Sequence, residues 1–137
     1  MPPKGQEQSY LWDMREAARK VISYMKGVKF TQFEKNKLLR SAVERQLLII
    51  GEAANHISPQ FRKAHPQVTW PDLVALRNIL AHEYGETLTN RVWLAATKSA
   101  PELFEELFED VGLANAMREG ENSGAVSEKE VMKVLRS

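Results

Sequence analysis

Residues 31–57 read TQFEKNKLLRSAVERQLLIIGEAANHI. Within them Leu39, Ala42/Val43, Leu47, Ile50, Ala53/Ala54 and Ile57 recur every three or four positions, the spacing of one face of an α-helix. Leu38, Leu48 and Ile49 widen that face, so the helix is expected to be buried on more than one side. Thr31 and Glu34 have the spacing of a capping box at its start, and Ser58-Pro59 closes it and opens a short helical turn over residues 60–64.

The flanking segments repeat the pattern. Upstream, Tyr10/Leu11, Met14, Ala17/Ala18, Val21/Ile22 and Met25 form a second stripe, with Asp13, Arg15, Glu16, Arg19 and Lys20 outside it and Gly27 as its stop. Downstream, Thr69-Trp70-Pro71-Asp72 reads as a helix start: threonine cap, proline in the first turn, acid three residues on. Leu73, Leu76 and Leu80 then give an inner face, with Gly85 stopping the helix after Tyr84. A further helix starts near Thr87 or Thr89 and carries Val92, Ala95/Ala96, Leu103/Phe104 and Leu107/Phe108. Pro101 kinks it or restarts it, since Ser99 and Glu102 have capping-box spacing. No segment alternates with the two-residue period of a strand. The expectation is an all-α, up-and-down bundle of four to five helices spanning residues 1–112, with 113–137 a loosely attached tail holding at most one short helix.

Composition narrows the function. The 137 residues suit one domain, and 43% hydrophobic with 27% charged residues is an ordinary globular balance. At a net charge of +1, a nucleic-acid partner must be met by a local basic patch. There are no cysteines, which excludes disulfides, thiolate metal sites and thiol catalysis. The longest apolar run, residues 47–50, is far too short to span a bilayer, and the first residues are polar, so a cytoplasmic protein is expected. No phosphate-binding glycine loop is present, and neither His56 nor His65 has a partner at metal-ligand spacing; no cofactor or metal is expected.

The richest chemistry lies in Leu76-Arg77-Asn78-Ile79-Leu80-Ala81-His82-Glu83-Tyr84-Gly85. On a continuous helix Arg77 and Tyr84 project on nearly one face, and Asn78 sits one turn from His82, able to orient its ring. Arg77 and His82 diverge by roughly 140°. A flexible arginine or a second subunit is therefore needed to bring both to one substrate. A histidine moves protons and an arginine holds phosphate, a pairing suited to metal-independent cleavage of RNA. A buried polar network would use the same residues, and spacing alone leaves both readings open.

Arg77-Asn78-x-x-x-His82-x-Tyr84 resembles the R-x4-H-x-Y signature of the HepT-like branch of the HEPN superfamily, and residues 41–54, SAVERQLLIIGEAA, resemble that branch's second-helix motif. Trp70, Val92-Trp93 and Pro101 also fit its pattern, and the resemblance covers roughly residues 8–110. It implies a HEPN-like bundle forming a two-fold homodimer, with Arg77 and His82 as the catalytic pair of an endoribonuclease cleft and Asn78 in support. It further implies the toxin of a type VII-like toxin–antitoxin pair. Its antitoxin partner would be a nucleotidyltransferase of the MntA type that silences the toxin by AMPylation of Tyr84. The alternative is a non-catalytic helical dimer that binds the nucleotidyltransferase as substrate or adaptor.

Overall fold

The long stripe of residues 31–57 is divided in two. In the computed structural model, which describes residues 4–108, the elements are α1 Lys4–Met25, α2 Phe30–Lys35, α3 Lys37–Ala54, α4 Pro59–Ala64, α5 Trp70–His82, α6 Gly85–Leu94, a π-helical turn Ala95–Ser99, and α7 Ala100–Phe108. The chain breaks at Asn36, whose side-chain oxygen accepts from Leu39 N at 3.0 Å and so starts α3 afresh. At the start of α2 the expected Thr31/Glu34 box is replaced by one set two residues earlier: Lys29 N donates to Gln32 Oε1 at 2.9 Å. α3 ends at Ala54, and Ser58 Oγ accepts from Phe61 N at 3.2 Å to cap α4.

The four principal layers are α7, α1, α3 and α5, packed in that order, with α6 and the π turn returning the chain from α5 towards α7. Helices alone make up the architecture of the described residues, as expected of an all-α bundle. α2 and α4 are single turns that tie the ends of longer helices. The proposed tail, 113–137, lies outside the described residues.

The core follows the stripes read from sequence. Met14, Val21, Val43, Leu47, Ile50, Leu73, Phe104 and Leu107 are fully buried. Trp93 packs on Phe30 and Phe33, with ring centroids 5.4 and 5.5 Å away, anchoring α2 against α6. Arg15 departs from its expected place outside the α1 stripe. It is 2% exposed, paired with Glu16 at 2.8 Å, and its guanidinium carbon lies 4.9 and 5.5 Å from the ring centroids of Phe104 and Phe108. Aromatic faces attract the delocalised charge, which explains how α7 accommodates an arginine.

A π-helical turn, and no side-chain cap, precedes Pro101. The helix widens ahead of it, and Ala100 N donates to Ala95 O, five residues back. An i→i+5 turn shifts the hydrogen-bond register and absorbs the donor that proline lacks. The turn keeps Ala95, Ala96 and Ala100 buried while α7 swings Leu103, Phe104 and Leu107 onto α1.

Candidate active site

The start of α5 is firmly held. Pro71 occupies its first turn, Trp70 is buried, and Trp70 Nε1 donates to His65 O at 3.0 Å. Thr69 stands at the cap position, but its side chain makes no cap bond. Its backbone oxygen instead accepts from Asp72 N and Leu73 N at 3.0 and 3.1 Å. From there Leu73 and Leu76 turn inward against α3.

Gly51 decides how close α5 comes. A Cβ on Gly51 would lie 3.1 Å from Leu73 O, 3.2 Å from Leu76 Cβ and 3.3 Å from Arg77 N, so any side chain there would have to push the two helices apart by a few tenths of an ångström. That approach sets Arg77 beside the next residue of α3: Arg77 Nε lies 3.3 Å from Glu52 Oε1. Both side chains are largely in solvent, at 62% and 48% exposure, so the pair orients the guanidinium more than it stabilises the fold. Its terminal nitrogens remain available to a ligand. Glu52 is not among the residues that the sequence pattern singles out. The signal that marks it is its position next to a glycine in the middle of an apolar helix.

At the other end, α5 stops at His82, earlier than the sequence reading placed it. Glu83 is extended and donates its N–H to Ile79 O at 3.0 Å, and Tyr84 is extended too, at φ −137° and ψ 163°. Gly85, at φ +62°, turns the chain into α6. Tyr84 therefore leaves the helix, and the wheel angle expected to align it with Arg77 does not apply. Its ring is 78% exposed. Arg91 Nε of α6 lies 2.7 Å from Glu83 Oε2, without the alignment of a hydrogen bond, and this ion pair braces the corner.

Arg77, Asn78 and His82 are all exposed on the outer side of α5. Among the described residues Asn78 and His82 make no hydrogen bond to each other, so the expected orienting contact is not formed. Five residues of helix separate Arg77 from His82 by about 7.5 Å along the axis and by roughly 140° around it. The cluster is thus a surface set, and it is not a buried polar network. The other two histidines are engaged elsewhere. His56 stacks on Tyr10 with centroids 4.4 Å apart, and His65 Nδ1 lies 2.8 Å from Glu106 Oε1. Among the described residues no three His, Asp or Glu side chains converge as metal ligands, and no helix is long and apolar enough to cross a membrane.

Comparison with known proteins bears on this arrangement. The profile of the family described as ribonuclease HepT-like matches residues 14–109. A protein of Methanocaldococcus jannaschii named "Putative RNase MJ1380" is 36% identical over 76% of this chain and 95% of its own length. One of Caldanaerobacter subterraneus subsp. tengcongensis, "Putative RNase TTE0752", is 33% identical over 73% of this chain and 89% of its own. A protein of Thermococcus cleftensis named "Probable ribonuclease HepT" is 31% identical over 76% of this chain and 97% of its own. No solved structure matches the chain. The matched region runs from α1 through α7 and includes the whole α5–α6 corner, and the chain belongs to the ribonuclease HepT-like family.

Proposed function

We propose that this protein is a metal-independent endoribonuclease, with Arg77 and His82 as its catalytic pair and Asn78 in support. The observation that carries the reading is the joint exposure of Arg77, Asn78, His82 and Tyr84 over the second half of α5 and the turn after it, in a chain of a ribonuclease family. A base removes the proton of a ribose 2′-hydroxyl, and the 2′-oxygen attacks the adjacent phosphorus. The bond to the 5′-oxygen breaks, and that oxygen takes up a proton. The products are a 2′,3′-cyclic phosphate and a 5′-hydroxyl end. His82 moves the protons, while the guanidinium of Arg77 balances the charge that builds on the phosphoryl oxygens.

The divergence of Arg77 and His82 on α5 favours a site shared between two copies, since two His82 side chains would then supply base and acid to one phosphate. In this reading the protein is the cytoplasmic toxin of a type VII-like toxin–antitoxin pair. Its MntA-type nucleotidyltransferase partner AMPylates Tyr84. The phenolic oxygen displaces pyrophosphate from the partner's ATP, and the added phosphodiester brings negative charge and bulk to a place an RNA phosphate must enter. The exposure of Tyr84 and its position outside the helix support this role, because a second enzyme must grasp the side chain.

One observation favours the non-catalytic alternative, a helical dimer that serves the nucleotidyltransferase as substrate or adaptor: Glu52 already partly neutralises Arg77. Cleavage of RNA in the presence of a chelator, followed by analysis of the product ends, separates the two. The nuclease gives cyclic phosphates, and Arg77→Ala abolishes them. Unmodified protein that leaves RNA intact supports the adaptor. Tyr84→Phe should cut RNA yet resist the partner; full silencing of that variant would move control from modification to binding.

A further inference from the structure

The groove between α1 and α3 is built from residues that the proposed reaction does not use, save one. Tyr10 and Asp13 of α1, Arg45, Ile49 and Glu52 of α3, and His56 just past its end line an open hollow of about 410 Å³. That size falls in the range of small-ligand sites. Tyr10 and His56 stack nearly parallel, with centroids 4.4 Å apart and planes 9° from each other, and His56 is exposed. Asp13 and Arg45 are exposed as well, and neither has an ion pair among the described residues. Glu52 is the shared member: its Oε1 lies 3.3 Å from Arg77 Nε, so the groove opens beside the proposed catalytic arginine.

Charge and ring geometry together define what fits. Two carboxylates against one arginine disfavour a phosphate inside the hollow, whereas a neutral nucleobase meets no such repulsion. Flat aromatic rings at a groove wall are the surface on which unpaired RNA bases stack. The carboxylates then select among bases. A carboxylate only accepts hydrogen bonds, and its two oxygens match two donors side by side. Guanine presents such a pair on its Watson–Crick edge, N1–H and the N2 amino group. Adenine and cytosine each set a bare ring nitrogen beside their amino group, and uracil flanks its one N–H with carbonyl oxygens. Each of these turns a lone pair towards the carboxylate. The guanidinium of Arg45 complements the remaining edge of guanine, where O6 and N7 both accept.

We infer that this groove is a subsite for an unpaired guanine of the RNA substrate, next to the scissile phosphate. The base stacks on the Tyr10/His56 pair, and Asp13 accepts from its N1–H and N2 amino group. The subsite rests on the ribonuclease reading given above and adds what Arg77 and His82 do not supply. A phosphate and a 2′-hydroxyl are alike at every nucleotide, so the choice of cleavage position needs a contact to a base. Glu52 belongs to both places, which puts the seated base within a nucleotide's reach of the phosphate that Arg77 receives.

Equilibrium binding tests the subsite apart from cleavage. The probes are labelled pyrimidine oligoribonucleotides with one central guanine, inosine or adenine, 2′-O-methylated throughout so that 2′-attack cannot occur. Fluorescence anisotropy with the full chain should show guanine binding about tenfold or more tighter than adenine. Inosine, which lacks the N2 amino group, should fall between them. Asp13→Asn should erase the preference with the thermal melt unchanged, since Asp13 is exposed. His56→Ala should weaken all three probes about tenfold by removing the outer ring of the stack. Equal affinities for guanine and adenine, no binding of any probe, or a preference that survives Asp13→Asn would each overturn the proposal. Binding of guanosine monophosphate without binding of the guanine oligonucleotide would overturn it in favour of a free nucleotide. A protein that prefers guanine but leaves unmethylated RNA intact removes the nuclease reading and keeps the subsite. One that cuts RNA with no guanine preference does the reverse.

Discussion

The two ends of α5 are built on opposite principles. At its start Trp70 is buried and hydrogen-bonded, Pro71 pre-sets the first turn, and Leu73 lies against the backbone of α3 across Gly51. At its end His82 and Tyr84 stand in solvent, held by Gly85 and one ion pair between Glu83 and Arg91. The first end positions the helix, and the second presents two of the residues proposed for its chemistry. Stability and activity should therefore respond to different residues, and substitutions along α5 can break or sharpen that division.

Trp70→Ala should have the largest effect. It removes a buried ring and a hydrogen bond, and chemical denaturation should show a loss of about 3–5 kcal/mol. Gly51→Val comes next. Its side chain has no room against Leu73 O and Arg77 N, so α5 must move away from α3 at a cost of about 1–3 kcal/mol. That displacement also carries Arg77 from Glu52, so cleavage should fall further than stability explains. Glu83→Gln should cost less than about 1 kcal/mol, because the pair with Arg91 is partly exposed, yet it loosens the corner that carries His82 and Tyr84. A melting temperature near that of the parent with cleavage reduced several-fold would sharpen the division. A large drop in melting temperature would break it.

The smallest effect belongs to Glu44 of α3, far in character from both ends. Burial raises its carboxyl above the ordinary carboxylate range, and the charge of Arg40 partly offsets the rise. A carboxyl whose folded pKa is raised contributes stability below its unfolded pKa, and that contribution is lost as pH rises through the folded value. At neutral pH its charge is therefore a mild burden. Glu44→Gln should raise the melting temperature slightly at pH 7, with the gain vanishing near pH 4.

Local chemistry made much of this legible in the sequence. The Thr69-Trp70-Pro71 start, the Ser58 cap and the disturbance before Pro101 each depend on a few consecutive residues, and each falls where the pattern places it. The same holds for the inner face of α5. Contacts made at long range were not legible. Arg15 reads as a surface residue until α7 folds two phenylalanines over it, and Glu52 reads as unassigned until Gly51 brings α5 alongside. The break at Asn36 had a local signal, an N-cap residue within the apolar stripe, but the stripe continues through it and masked the stop. For the candidate site, the residue types and their order were readable. The departure of Tyr84 from the helix was not, because glycine marks the end of a helix only to within a residue or two.

The most direct test of the division is RNA cleavage by purified His82→Ala and parent protein without divalent metal, each paired with a thermal melt. The account predicts equal melting temperatures with cleavage in the parent alone, since His82 is exposed and supports nothing in the core. A His82→Ala protein that cuts RNA as fast as the parent, or one that loses its fold, would contradict it.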